Sequence, residues 1–425
     1  MKKSFLALSL ATTLFAGTVF SGQAYAADKA VPFTRGEYMH AIVQQLEATP
    51  KDKNSALPKD VSAESPYAET VRVMKEKKIV FGYEDGTFKL DQPVSVTEAE
   101  MILSRVLGIA GVEASDILSK QFGVSFGSDA IVTKEEALGV IKDALVIDPA
   151  ILDLVNKSSV QSMKQQSFSM DMSQDITNTL NQKMPELNNV DRFSQSSDIS
   201  MEYIKDKGLH MSMTATMPEI LGEAIPSIKM EQYYVPEGIF MMMTNPETNK
   251  DEWINMTDVF PMSFEQLMAI QKDSIELNNK LLDKSFFYRD LGNVEVEGKK
   301  LKQVGFYGQI SSMDEIMELF QGTMNNQEIA IPSIEETGLA GMSMYGTMLI
   351  DETTKLPMSA EYNISISFTP STELPFKEMK MEMDADFKEY NQVKAIVLPE
   401  AAKNAKKIDL TIDPSTEVTP DKKAE

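Results

Sequence analysis

Two hydrophobic patterns divide the chain. Up to about residue 150, apolar residues recur at the three- and four-residue spacing of helices, and Gly and Pro mark the turns. From about residue 160 to 398, apolar and polar residues alternate, as they do from Leu209 to Met217. A two-residue period places one set of side chains on each face of a strand. The pattern therefore predicts an α+β chain, in which a helical region precedes a sheet with one apolar face.

The second region reads as one sheet domain over residues 158–402. Short turns such as Asp351 to Thr354 join consecutive strands, which indicates an antiparallel meander rather than parallel strands with crossover helices. Two segments with helical spacing, Phe264 to Leu282 and Met313 to Phe320, interrupt the alternation. We expect these helices to cover the apolar face.

The segment from Ala68 to Leu107 carries the most informative local pattern of the helical region. An amphipathic helix runs up to a Gly-Tyr-x-Asp-Gly-Thr-Phe turn, in which Gly82 and Gly86 are suited to positive φ. A second helix follows a Pro-containing link. Its expected N-cap is Thr97 and its expected stop is Gly108.

A short phrase occurs three times in this region, each time ahead of an apolar-periodic helix. Its copies are Phe33-Thr34-Arg35-Gly36-Glu37, Val96-Thr97-Glu98-Ala99-Glu100 and Val132-Thr133-Lys134-Glu135-Glu136. Three copies indicate three repeats over residues 28–150, of which only the central one is complete.

The order of helix, GYxDGTF turn, link and second helix resembles an S-layer homology (SLH) repeat. The resemblance implies three repeats about a pseudo-threefold axis, with a groove for an acidic, often pyruvylated, secondary cell-wall polysaccharide of a Gram-positive-type bacterium. By the same resemblance, Arg35 and Lys134 would contact the anionic glycan. Gly82, Tyr83 and Asp85 would form the side of the groove next to these contacts.

The basic residues of this phrase have a second interpretation. Arg35 and Lys134 can also be solvated charges at helix starts, where a cation is mildly unfavourable beside the helix dipole. In the middle copy, Glu98 takes the position that the family gives to arginine, so there we expect repulsion of an anion.

The sheet domain resembles LolA-like half-barrels, the fold of bacterial lipoprotein carriers. The phrases that suggest it are Glu231-Gln232-Tyr233-Tyr234, Gly238-Ile239-Phe240, Glu252-Trp253-Ile254-Asn255 and Phe387-Lys388-Glu389-Tyr390-Asn391. The resemblance implies a curved antiparallel sheet with helices on its concave side and a lipid or other amphiphile as ligand.

Methionine is abundant, with 29 residues, and many fall on the apolar side of the alternating strands. Unbranched thioether side chains repack around ligands of different shape. Two uses stay open at this point: the methionines fill an ordinary core, or they line an apolar binding cavity.

The N-terminus indicates export. Lys2 and Lys3 precede an apolar run from Phe5 to Phe20 and an Ala24-Tyr25-Ala26 cleavage pattern, which together predict a signal peptide over residues 1–26. An uncleaved membrane anchor is the alternative, and no later stretch is apolar enough to span a bilayer. The absence of cysteine excludes disulfides, thiolate metal sites and lipid attachment at a cysteine.

Charge and motif content argue against two further classes of function. The formal net charge of −23 makes nucleic acid an unsuitable partner. His40 and His210 fall in different predicted domains, where we read them as helix surface and solvated strand residues, and the sequence has no nucleophile elbow or phosphate loop. We therefore expect no enzyme activity, no cofactor and no metal.

Together with the two resemblances, these patterns predict a non-catalytic cell-surface protein that is anchored to wall polysaccharide and binds an apolar or amphiphilic ligand. Residues 413–425 are predicted to be a disordered tail. One alternative is a secreted enzyme that acts on wall polymers through acidic residues. Another is a purely structural surface-layer component.

Overall fold

The computed structural model describes residues 32–109, 113–184, 189–216, 227–245, 248, 250–258, 286–310, 338–369 and 375–407. The predicted signal peptide, the helical segments at 264–282 and 313–320, and the predicted tail at 413–425 lie outside these residues. Among the described residues, no helix combines the length and apolarity needed to cross a bilayer.

The N-terminal part is a helical module around one apolar core. Its helices are α1 (Arg35–Gln45), α2 (Ala68–Glu76), α3 (Val96–Val106), α4 (Ala114–Lys120) and α5 (Lys134–Leu145). A longer helix, α6 (Pro149–Met163), links the module to the sheet. The module is not purely helical, because isolated antiparallel bridges join Pro32 to Thr133, Thr34 to Pro93, and Ser95 to Ile131.

Three helices of the module begin with the same capping box. In each, the N-cap hydroxyl accepts from the backbone amide three residues on, and the glutamate there accepts from the N-cap amide. The pairs are Thr34 with Glu37, Ser95 with Glu98, and Thr133 with Glu136. The prediction that Thr97 caps α3 is wrong, because Ser95 begins the Ser-x-x-Glu box and Thr97 lies inside the helix.

The three helix starts are joined in a closed ring of backbone hydrogen bonds. Phe33 donates to Val132 at 3.0 Å, Val132 to Val94 at 3.1 Å, and Val94 back to Phe33 at 2.9 Å. The ring gives the three starts equivalent places around one axis. It aligns Val94, rather than Val96, with Phe33, so the predicted alignment of the middle phrase is wrong by two residues.

The rest of the described chain forms one open, curved sheet of 12 strands. The strands are β1 (Ser167–Met184), β2 (Val190–Ile204), β3 (Gly208–Thr216), β4 (Ile228–Val235), β5 (Gly238–Asn245), β6 (Lys250–Asn255), β7 (Phe286–Val296), β8 (Lys299–Ile310), β9 (Leu339–Asp351), β10 (Pro357–Phe368), β11 (Phe376–Lys388) and β12 (Lys406–Lys407). A short helix, α7 (Glu400–Lys403), precedes β12.

The strand order confirms the predicted antiparallel meander. It runs β12-β6-β5-β4-β3-β2-β1-β11-β10-β9-β8-β7, so strands consecutive in the chain are mostly neighbours. The β1–β11 pair joins the two halves, and β12 alone pairs in parallel, with β6. Short turns and period-two patterning produce this arrangement.

The β7–β10 end of the sheet lies between two helical layers. On one face, Ile151 and Leu154 of α6 pack in a cluster with Val304 and Phe306 of β8. On the other face, Tyr307 belongs to the core of the helical module. Since adjacent residues of a strand point to opposite faces, the module and α6 hold this end from both sides.

The module docks on β8 through aromatic side chains. Phe122 packs edge-on against Tyr307 with ring centroids 4.9 Å apart, and the Tyr307 hydroxyl donates to the Ala144 carbonyl at 2.5 Å. A β-carbon on Gly305 would lie 2.8 Å from the Phe122 ring. Glycine at this position therefore makes room for Phe122.

Candidate functional site

The apolar face of the sheet carries cross-strand rows that are rich in methionine, and we call it the methionine face. Cross-strand register defines two rows. One row is Met241, Gln232, Met211, Met201, Met170 and Phe387; the next is Met243, Met230, Met213, Ile199, Met172, Ala385, Ala360 and Met348.

The methionines of these rows are half-buried rather than buried. Met172, at the middle of the sheet, has Ile199 on one side and Ala385 on the other and keeps part of its surface accessible. An ordinary core would bury such side chains completely. The half-exposed rows are the geometry expected of an apolar surface that accepts a ligand.

Amide side chains stand within the methionine face and bond to sulfur. Gln232 Nε2 lies 3.2 Å from Met230 Sδ and 3.9 Å from Met241 Sδ, and Gln174 Nε2 lies 3.7 Å from Met381 Sδ. Thioether sulfur is a weak acceptor. A ligand oxygen is a better acceptor for these amides, so the face suits an amphiphile as well as a hydrocarbon.

The GYxDGTF turn forms as predicted. Gly82 has φ +82° and Gly86 has φ +77°, which confirms the prediction of positive φ at both residues. Asp85 Oδ1 accepts from the amide of Thr87 at 3.0 Å and from its hydroxyl at 2.6 Å. These bonds hold the pKa of Asp85 below its ordinary value and give the turn a fixed shape.

Arg35 of the first phrase lies against the turn of the central repeat. Its Nη1 donates to Glu98 Oε1 at 2.9 Å, and the Tyr83 hydroxyl donates to the same oxygen at 2.5 Å. The Arg35 guanidinium lies 5.0 Å from the Tyr83 ring centroid, and Lys89 Nζ lies 4.0 Å from it. Arg35, Tyr83 and Glu98 therefore form one polar cluster between two repeats.

Electrostatics hold this cluster together. Burial opposes ionisation of Glu98, but hydrogen bonds from Tyr83 and Ser95 and the charge of Arg35 keep its pKa below the ordinary value. Burial and the hydrogen bond to Glu98 raise the pKa of Tyr83. Glu98 is thus a carboxylate and Tyr83 a neutral donor at neutral pH.

Two expectations for this region are wrong. Arg35 is not a solvated charge, because the residue is only 7% exposed. Glu98 does not take the arginine position of the middle repeat, since Val96 begins α3 as Arg35 begins α1. Instead of repelling a ligand, Glu98 binds Arg35. Lys134 begins α5 and is exposed, as its alternative interpretation expects.

The histidines have partners that their sequence neighbours do not reveal. His210 stacks on Tyr233 with centroids 4.2 Å apart and approaches Glu202 Oε2 at 3.3 Å, so the prediction of a solvated residue is wrong. His40 Nδ1 lies 2.9 Å from the Thr70 hydroxyl. No cluster of three or more metal-ligating side chains occurs among the residues that the structure describes.

Comparison with known proteins gives two family matches and several similar solved structures. An S-layer homology domain matches residues 59–95, which indicates association with the cell surface or cell wall. No curated protein matches the chain.

Several solved structures are similar to it. LprF from Mycobacterium bovis is 11% identical, with a TM-score of 0.32 over 60% of this chain and 98% of that one. A DUF1329 family protein from Desulfovibrio piger is 10% identical, with a TM-score of 0.22 over 58% and 94%. A putative outer membrane lipoprotein-sorting protein domain from Vibrio parahaemolyticus is 7% identical, with a TM-score of 0.20 over 56% and 92%. Similarities this remote support no inference of function.

The second family match covers residues 150–407, which include α6 except its first residue, the twelve strands described above and the methionine face. This span is more than half of the chain, so the chain belongs to a family of unknown function, DUF6612.

Proposed function

We propose that this chain is a non-catalytic cell-surface protein. Its helical module attaches to acidic cell-wall polysaccharide, and its sheet binds an apolar or amphiphilic ligand on the methionine face. The observation that carries the proposal is the set of half-buried methionine rows across adjoining strands.

The methionine face favours a ligand with a variable hydrocarbon part. Methionine side chains adapt to different shapes at low cost, whereas β-branched side chains fix one shape. The amides of Gln174 and Gln232 add hydrogen-bond donors inside the apolar surface. A lipid with carbonyl or phosphate oxygens satisfies both requirements.

The SLH match supports the wall attachment, whereas the net charge of the chain opposes binding to a polyanion. A chain with net charge −23 needs local clusters of cations to bind an anionic, for example pyruvylated, polysaccharide of a Gram-positive-type wall. Arg35 is an unsuitable contact, because Glu98 already neutralises it. The proposal therefore requires cations elsewhere in the module.

A matched pair of variants tests the ligand site. Met172 lies on the methionine face, and its neighbour Ser173 is exposed on the opposite face of the same strand. Binding of an environment-sensitive apolar fluorophore, and its displacement by added phospholipid, are measured for Met172→Asp and Ser173→Asp. We expect Met172→Asp to weaken binding roughly tenfold or more, since a buried carboxylate opposes an apolar ligand.

The control Ser173→Asp is expected to bind the fluorophore as the wild type does. Equal binding by both variants would place the fluorophore elsewhere. The absence of any lipid after gentle extraction and native mass spectrometry of the wild type would contradict lipid binding on the methionine face.

Wall attachment is tested with the full mature chain and purified peptidoglycan, with and without its attached polysaccharide. Retention only by the material that keeps the polysaccharide supports the attachment. Equal retention by both materials, or by neither, contradicts it.

A further inference from the structure

A cleft lies where the helical module meets the end of the sheet, and we call it the basic cleft. Its module side is lined by Lys77, Lys78, Phe81 and Arg105. Hydroxyl groups line the sheet side, at Ser343, Ser365 and Ser367. Its volume of about 240 Å³ suits one small cyclic unit rather than a long chain.

The charges of the cleft differ from those of the whole chain. Lysine and arginine number 41 against 64 acids over the chain, yet three cations and one carboxylate line the cleft. That carboxylate, on Glu378, already accepts from Ser365 at 3.2 Å and lies 3.8 Å from Lys380. The formal charge of the lining residues is therefore positive, which favours an anion.

Phe81 gives the cleft an aromatic surface. Its side chain is 70% exposed, and no other aromatic residue in the described part of the chain is exposed. The Arg105 guanidinium lies 5.4 Å from the Phe81 ring centroid, and Arg105 Nη1 donates to the Ile79 carbonyl at 3.1 Å. The ring and the cation thus lie together in the lining of the cleft.

Lys78 occupies a backbone position that favours glycine. Its φ is +56°, a left-handed value that costs an L-residue free energy and costs glycine none. Lys78 is exposed and lines the cleft.

We propose that the basic cleft binds a negatively charged sugar unit of a saccharide chain. The anionic group lies among the lysines and Arg105, an apolar face of the sugar ring packs on Phe81, and sugar hydroxyls bond to the serines. This inference rests on the proposed wall attachment for its natural ligand. It replaces Arg35 by the cleft as the place where the anion is bound.

The first test uses a defined saccharide and the full mature chain. Calorimetric titration compares oligogalacturonate, which carries a carboxylate on every ring, with the same oligomer fully methyl-esterified. We expect binding of the charged oligomer only. Lys78→Gly and Phe81→Ala are each expected to lower the affinity roughly threefold to tenfold.

Lys78→Gly separates binding from folding. Because glycine adopts the left-handed backbone without strain, we expect this variant to unfold at the same temperature as the wild type or higher, while it loses affinity. Lys120→Gln and Val397→Ala are the controls for an exposed cation and an exposed apolar side chain, and both are expected to bind as the wild type does.

The outcomes separate the cleft from the wall attachment. Equal binding of both oligomers, or wild-type affinity in Lys78→Gly and Phe81→Ala, overturns the proposal that the cleft binds the charged sugar. In parallel, the same variants are tested for retention on wall material. If the wild type and the cleft variants are retained equally, the wall attachment is supported and the proposal for the cleft is overturned. If the wild type is not retained, the wall attachment itself is contradicted.

Discussion

The carbonyl oxygen of Gly308 lies 2.5 Å from the position that a β-carbon on Gly108 would take. Gly108 follows α3 and has φ +73°, as expected of the glycine that ends a helix. Gly108 therefore ends α3 and lets the end of this helix approach β8 closely. This contact fixes the module on the sheet beside the basic cleft.

Gly108→Ala is predicted to destabilise the protein by about 2–4 kcal/mol, because the methyl group meets both a strained backbone and the Gly308 carbonyl. Gly123→Ala separates the two causes. Gly123 has φ +61° with nothing within 4 Å of its β-carbon position, so only the backbone term of about 1–2 kcal/mol applies. Urea unfolding of both variants measures the difference, and equal losses would show that Gly308 relaxes at no cost.

Arg35 is predicted to stabilise the module through its contact with Glu98. Arg35→Met leaves a partly buried carboxylate without its cation, so we expect a loss of about 1–3 kcal/mol. The control is Lys120→Met, which removes an exposed pair with Asp116 and should cost about 0.5 kcal/mol or less. Chemical denaturation decides, and a loss in Arg35→Met no larger than the control would contradict a stabilising pair.

The same cluster predicts how stability depends on pH. The folded-state pKa of Glu98 is lowered from 4.5, so the unfolded chain binds more protons between the two values. Its contribution is complete above about pH 4.5 and is lost as the pH falls through the folded pKa. Glu98→Gln should therefore flatten the acid limb of a plot of unfolding free energy against pH. An unchanged slope would assign the acid sensitivity to other carboxylates, such as Asp85 or Asp171.

The sequence was sufficient for features that depend on local spacing. Alternation in segments such as Leu209 to Met217 predicts strands with one apolar face because strand geometry alone determines which way side chains point. Gly82, Gly86 and Gly108 were identified for the same kind of reason, since each backbone position favours glycine.

Features that depend on distant packing were not predictable in this way. Arg35 resembles any basic residue at a helix start, and only the ring of helix starts brings it to Glu98, 63 positions away. The N-cap of α3 is ambiguous in the sequence for a different reason, because Ser95 with Glu98 and Thr97 with Glu100 both have the capping-box spacing. The contact of Phe122 with Tyr307 joins two domains whose relative placement no periodicity encodes.

Asn178 gives a prediction for the methionine face itself. The residue is 4% exposed, and its Oδ1 has no hydrogen-bond partner, while its cross-strand neighbours are Met379 and Phe193. A buried acceptor without a partner costs about 1–3 kcal/mol, and leucine fills a similar volume without that cost. Asn178→Leu should therefore raise the free energy of unfolding of the ligand-free protein by about 1 kcal/mol or more.

Thr177→Val provides the neighbouring control, since Thr177 lies on the opposite face of β1 and bonds to the Ser194 hydroxyl at 2.8 Å. It should leave stability unchanged or slightly lower. The same two variants are then measured with bound phospholipid. If a hydrogen-bond donor of the ligand reaches Asn178 Oδ1, the wild type binds the ligand more tightly than Asn178→Leu does. Because a ligand that binds only the folded state stabilises it, the ligand would then raise the stability of the wild type more than that of the variant. Lower stability of ligand-free Asn178→Leu would contradict the unsatisfied acceptor and show that the asparagine contributes to packing of the face.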